Sequence, residues 1–194
     1  MTTADDYLAE LIGILNAVPR SAVDRLVGAV LAAQRQERQV SVLGNGGSAA
    51  TSSHFACDLA KGTASPGVKR LRLVALTDHI PLLTAWGNDR DYADVFAEQL
   101  QNLVREGDLV TAFGGSGTSP NVPRAIGLAN EAGAVTVGLA GFEGGRLAES
   151  VQIPVVVPCS CMEQIEVAHP AVCHAVAVAV RQEFRSTLEV GVDR

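Results

Sequence analysis

The chain has 194 residues, of which 47% are hydrophobic and only 4% aromatic. That length suits one domain, and that composition builds its core from Ala, Val, Leu and Ile, as in helices packed on buried parallel strands. The formal charge of −6 argues against nucleic acid or an anionic membrane as a bulk partner, whereas a small anionic ligand can still be cradled by backbone N–H groups.

The first ten residues carry Asp5, Asp6 and Glu10 with neither a basic stretch nor an apolar core, so no signal peptide is expected. No apolar run approaches the ~20 residues of a membrane-spanning helix. The four cysteines, Cys57, Cys159, Cys161 and Cys173, lack CxxC spacing and are expected as reduced thiols of a cytoplasmic protein.

Residues 7–34 place apolar side chains at helical spacing, interrupted at Pro19 and Ser21-Ala22, and predict two helices. A strand follows at 39–43, then Gly44-Asn45-Gly46-Gly47-Ser48, a helix at 49–60 and a loop at 62–67. A second strand is predicted at 72–76, helices at 81–85 and 92–103, and a third strand at 108–112. The loop 114–120 leads into a helix at 121–132, strands at 135–139 and 153–157, and a last helix from about residue 162 to 188. Alternating strands and helices predict an α/β domain with a five-stranded parallel sheet, flavodoxin-like, covered on both faces.

Ligands of such sheets bind beyond the carboxyl ends of the strands, where both small-residue loops fall. Three glycines in Gly44-Asn45-Gly46-Gly47-Ser48 allow a sharp turn and close approach to a ligand, and the next helix offers unpaired N–H groups. Gly114-Gly115-Ser116-Gly117-Thr118-Ser119-Pro120-Asn121 repeats that chemistry with three hydroxyls, and Pro120 suits a first helical turn. The first loop is neither a GK[ST] loop nor a clean GxGxxG, and neither loop carries a Lys, so the anion need not be a nucleotide.

His54 and Asp58 stand four apart on a predicted helix, on one face. They suit either two metal ligands or a base beside its orienting partner. Glu166 and His174, eight apart, lie about 12 Å from each other along a regular helix, with Pro170 between them as an expected kink or late start. His169 is the other histidine of this segment. Cys57 and Cys173 are expected to face the core, Trp86 to pack near the site, and His79 to lie at a strand end.

The run Leu43-Gly44-Asn45-Gly46-Gly47-Ser48-Ala49-Ala50 with His54-Phe55-Ala56 resembles the opening motif of phosphoheptose isomerases, which are SIS (sugar isomerase) domain proteins. Gly87-Asn88-Asp89 with Asp94-Val95-Phe96, and Gly117-Thr118-Ser119-Pro120-Asn121-Val122, resemble that family's later blocks, so the similarity spans residues 10–188. The resemblance implies isomerisation of sedoheptulose 7-phosphate to a heptose 7-phosphate by a homotetramer with active sites at subunit interfaces. It implies an N-terminal helical segment, 1–35, that packs in the oligomer, and a sugar-phosphate domain, 36–194. It also implies Asn45, Gly46, Gly47 and Ser48 at the substrate, Asn88 and Asp89 at the sugar, and the 114–119 loop, with Gly114, Gly115, Ser116 and Ser119, at the phosphate. Zinc is implied on His54, Asp58, Glu166 and His174. Glu166 would also touch substrate, and Asp58 and His174 would be catalytic.

Three positions depart from the family's pattern. Asp58 replaces glutamate and is one methylene shorter. Glu166 replaces glutamine and adds a negative charge. Gly114-Gly115 replace Ser-Thr, which removes two hydroxyl donors and leaves the backbone N–H groups. Other readings are an isomerase of a different ketose phosphate, a non-catalytic SIS protein that binds a protein partner such as a replication initiator, and a sugar-phosphate sensor.

Overall fold

The computed structural model describes residues 3–192. Helix α1 (Ala4–Ala17) starts at a capping box: the Thr3 hydroxyl accepts from the Asp6 N–H at 3.1 Å, and the Asp6 carboxylate accepts from the Thr3 N–H at 3.0 Å. Pro19 then sets the start of α2 (Arg20–Arg35), whose Ala22, Leu26, Val30 and Ala33 recur at helical spacing and are buried. The chain continues through β1 (Gln39–Gly44), α3 (Gly46–Cys57) and a π-helical turn (Asp58–Gly62), then β2 (Arg72–Ala75) and α4 (Ile80–Asp89). Next come a 3₁₀ turn (Tyr92–Asp94), α5 (Ala97–Gln101), β3 (Leu109–Gly114) and α6 (Asn121–Glu131). β4 (Val135–Ala140), α7 (Gly145–Ser150), β5 (Ile153–Val156) and α8 (Met162–Val192) complete it.

The strands form one parallel sheet of order β2-β1-β3-β4-β5, as the flavodoxin-like reading expects. The order reverses between β1 and β3, the switch point where such sheets bind ligands. Alternation along the strands supplies two cores. Val40, Val42, Leu109, Phe113, Val137 and Leu139 pack against α2, α3 and α8. Val110, Ala112 and Ala140 face the other way, against α5, α6 and α7. Among the described residues, no helix is long and apolar enough to cross a membrane.

Several local expectations need correction. The helix expected at 92–103 is broken into the 3₁₀ turn and α5, because the Asp91 carboxylate accepts from the Ala93 N–H at 2.7 Å and holds a turn there. Helix α3 begins at Gly46, not at residue 49, so the glycines form its first turn. The helix placed at 81–85 runs Ile80–Asp89 and includes Asn88 and Asp89. Its start is capped by the His79 ring, which accepts from the Leu82 N–H at 3.4 Å, so His79 is committed to that cap. α7 was not expected. Pro170 lies inside an unbroken α8. Cys173 is buried as expected, whereas Cys57 is exposed, since α3 presents its solvent edge there just before the π turn.

His169 sits on the buried face of α8, 1% exposed, and its ring centroid lies 6.3 Å from that of Phe113. It bonds the Ala140 backbone, while Nε2 has no hydrogen-bond partner among the described residues. Burial pushes its pKa down to about 4, against a smaller opposing effect of the Ala140 bond. The unfolded chain therefore binds a proton near pH 6.5 that the folded chain refuses until about pH 4. Stability falls as pH drops through that window, by up to roughly 3 kcal/mol. Urea midpoints of wild type and His169→Leu at pH 7 and pH 4.5 check this, with a smaller acid loss expected for the variant.

Candidate active site

Two loops and two helix faces meet at the switch point. The first loop ends β1 and places Asn45 just ahead of α3, whose first turn contains Gly46, Gly47 and Ser48. The second ends β3 and leads into α6 at Asn121. Their closest link is a reciprocal amide pair. Asn45 Nδ2 donates to Asn121 Oδ1 at 2.8 Å, and Asn121 Nδ2 donates to Asn45 Oδ1 at 2.9 Å. Tyr92 Oη adds a donor to Asn45 Oδ1 at 3.3 Å. Both amide groups are thereby oriented, with Asn121 buried and Asn45 half-buried beside the exposed Gly46 and Gly47. Asn88 and Asp89 lie in the last, exposed turn of α4, where Asn88 Nδ2 donates to Asp89 Oδ1 at 2.8 Å.

In the second loop the Ser116 and Thr118 hydroxyls are 2.9 Å apart, and the Thr118 N–H donates to Ser116 Oγ at 3.3 Å. Gly117 has φ +66°, and a Cβ there would overlap the Gly144 carbonyl oxygen. Gly115 is glycine for another reason: a Cβ there would overlap Met162 Sδ. The volume that a Ser or Thr would use is filled by the first residue of α8. Behind it, the Gly115 carbonyl accepts from the Gly141 N–H at 2.8 Å, joining the loop to the end of β4. Ser119 is half-buried next to Pro120 at the start of α6.

α3 and α8 pack side by side, and their facing residues pair along the seam. Near the loops, Gly47 faces Glu166: a Cβ there would stand 2.5 Å from Glu166 Oε1, so this carboxylate lies against the first turn of α3. Farther along, His54 Nε2 and His174 Nε2 are 2.9 Å apart. Asp58 Oδ2 is 3.3 Å from each of them. Ser53 fixes this stretch of α3, bonding the Ala49 carbonyl at 3.2 Å, the Thr77 hydroxyl at 3.1 Å and the Asp78 carboxylate. Asp58 opens the π-helical turn, a distortion that alters the angle at which following side chains leave the helix. Below it, a cleft of about 190 Å³ is lined by Asp58, Gly62, His174 and Arg181, among others. Burial first and the Asp58 charge second push the Cys173 thiol up, so it remains a protonated packing group.

The structure thus brings together His54, Asp58 and His174, and sets Glu166 two turns away, over Gly47. The three-residue set suits a divalent cation. Asp58 Oδ2 is buried without a hydrogen-bond partner among the described residues, and the three donor atoms converge within 4.8 Å of one another. A tetrahedral zinc with ligands at about 2.0–2.1 Å separates its donors by roughly 3.3 Å, which is the spacing both imidazoles keep from the carboxylate. Asp58 reaches both rings with its shorter side chain. Asn121, Tyr92 and Met162 did not emerge from the sequence as site residues. Only Asn121, at a helix start inside the loop motif, carried a local signal.

Fold and loops together define an SIS domain, and residues 6–141 match the family described by that name. The phosphoheptose isomerase of Geobacter metallireducens is 38% identical over 172 residues, covering 87% of this chain and 90% of its own. That of Syntrophotalea carbinolica is 37% identical over 189 residues, covering 95% and 96%. A phosphoheptose isomerase structure from Francisella tularensis superposes with a TM-score of 0.85 at 26% identity, over 92% of this chain and 96% of that one. The chain belongs to the SIS-domain family and, within it, to the phosphoheptose isomerases.

The two loop glycines respond differently to a methyl group. Gly117→Ala meets backbone in a left-handed conformation and is expected to cost roughly 2–4 kcal/mol. Gly115→Ala meets only the end of a flexible thioether and is expected to cost about 1 kcal/mol or less. Denaturant midpoints of the two variants rank them, and equal costs would contradict the Met162 contact.

Proposed function

We propose that this chain is an aldose–ketose isomerase that converts sedoheptulose 7-phosphate to a glycero-manno-heptose 7-phosphate through an enediolate. The observation that carries the reading is the convergence of two imidazoles and one carboxylate on a single point of the seam between α8 and α3, the helix that leaves the first small-residue loop. Moving a carbonyl between adjacent carbons requires a base to take a proton, an acid to return it to the neighbouring carbon, and a partner for the enediolate oxygen.

The phosphate is held by the Ser116 and Ser119 hydroxyls, by loop N–H groups including those of Gly114 and Gly115, and by the start of α6. Asn45, Gly46, Gly47 and Ser48 border the sugar chain, and Asn88 and Asp89 meet its hydroxyls. Asp58 and His174 move the proton between carbons, each keeping the other in place. His54 completes the set and positions Asp58 one helical turn on. Glu166 faces the substrate from above Gly47. His54, Asp58 and His174 would hold zinc or a similar divalent ion, which would supply Lewis-acid polarisation of the carbonyl; Glu166, over Gly47 two turns away, stands outside that set.

The enzyme works in the cytoplasm as a homotetramer with interfacial sites. α1 supports this reading, since Leu8 and Ile12 are 55% and 63% exposed and await cover by another copy. The chemistry is tested by following deuterium entry into sedoheptulose 7-phosphate in D₂O by NMR. Wild type exchanges a carbon-bound proton and forms product. His174→Ala and Asp58→Asn are each expected to lose about 10²–10⁴-fold while keeping the wild-type melting temperature. Undiminished exchange in His174→Ala would remove this histidine from the mechanism.

A further inference from the structure

Cys159-Ser160-Cys161 links β5 to α8, and the proposed isomerisation uses neither thiol. Both are half-buried. The Cys161 N–H donates to Cys159 Sγ at 3.3 Å, so the chain curls and the first sulfur is turned toward the second residue. The Cys159 thiol also faces Gln164 Oε1 at 3.3 Å, and the Cys161 thiol donates to Glu163 Oε2 at 3.3 Å. Glu163 is held below the usual carboxylate range, by its own backbone N–H first and by the Cys161 thiol second. Cys159 lines an open cavity of about 550 Å³ with Phe142, Glu143, Val156, Pro158 and Ser160, a volume within the range of small-molecule sites.

We propose that Cys159 and Cys161 form a thiol–disulfide exchange site, at which a low-molecular-weight disulfide entering this cavity oxidises the pair to an intrachain bridge. The geometry divides the roles. Cys159 Sγ, which lines the cavity and takes the Cys161 N–H, attacks as the thiolate one sulfur of the reagent. The reagent's S–S bond breaks, one thiolate leaves, and a mixed disulfide forms on Cys159. Cys161, whose thiol is oriented by its bond to the Glu163 carboxylate, then attacks Cys159 Sγ as the thiolate and expels the second thiolate. Two protein thiols are oxidised, one disulfide is reduced to two thiols, and the leaving thiolates take up the two protons. A bridge across a single intervening residue is strained, which makes it readily reversible.

The bridge also reaches the anion loop, an effect that rests on the function proposed above. The Cys159 carbonyl accepts from the N–H of Phe142, a residue held at φ +50°, while the adjoining Gly141 N–H holds the Gly115 carbonyl. Met162, next to Cys161, covers Gly115. Drawing the two sulfurs together shifts both supports of the loop.

The test incubates the reduced full-length protein with oxidised glutathione, quenches with N-ethylmaleimide and maps the peptides by mass. A 159–161 peptide two hydrogens lighter and free of maleimide is expected, while the exposed Cys57 carries a glutathione adduct. Cys161→Ser is expected to trap glutathione on Cys159, and Cys159→Ser to slow modification at Cys161 about tenfold. Stable adducts at either position in the wild type without a bridge, or an unreacted pair beside a modified Cys57, would overturn the site. Calorimetry with inorganic phosphate should give about fivefold weaker binding for the bridged form, the order of one hydrogen bond, and equal affinities would overturn the coupling. Absence of phosphate binding by the reduced protein would instead refute the loop's role and leave the mass result standing.

Discussion

The packing of α8 along α3 is the constraint on which the site depends. Ile165, Ala168, Val172, Val176 and Val180 recur at helical spacing and are buried against the sheet and its neighbours. The larger of these contribute roughly 1.5–3 kcal/mol each. Burial of one stripe fixes the rotation of α8, and the rotation fixes what the adjacent stripe presents to α3. Glu166 therefore meets the first turn at Gly47, and His174 meets His54 and Asp58 two turns later.

The same helix shapes the second loop from a distance. Met162 supplies an apolar wall over Gly115 where a hydroxyl-bearing side chain would otherwise stand, so the anion site keeps its backbone donors and loses side-chain ones. The two loops are held in register by the Asn45–Asn121 pair, which spends both amides on each other along one edge. Buried polar pairs of this kind are costly to leave half-made, which ties the geometry of one loop to that of the other. The dithiol at 159–161 sits where β5, α8 and the Gly141–Phe142 turn adjoin, at the edge of this arrangement.

The sheet was legible because parallel strands buried on both faces read as short apolar runs bounded by glycine. The loops were legible because each glycine cluster follows such a run. His54 and Asp58 were legible as a pair because helical spacing alone places them on one face. What escaped was decided by contacts distant in sequence or by local polar competition. Asp91 breaks the helix at 92–103 through a side-chain bond that periodicity does not register. The partnership of Met162 with Gly115 spans nearly fifty positions and leaves no local trace. Glu166 and His174 were expected to reach one metal at full stretch, with a kink or a late helix start at Pro170; instead α8 runs through Pro170, and the two residues serve different turns of α3. Cys57 was assigned to the core by its angle on a regular helix, yet it stands exposed at the junction with the π turn.

α3 and α8 bring His54, Asp58 and His174 into one site able to hold a divalent ion. Anomalous diffraction at the zinc edge from crystals soaked in zinc tests it most directly. A strong peak is expected beside both Nε2 atoms and Asp58 Oδ2, and is lost in crystals of His174→Ala. A peak confined to Cys159 and Cys161, or none at the histidines at full occupancy elsewhere, would contradict it.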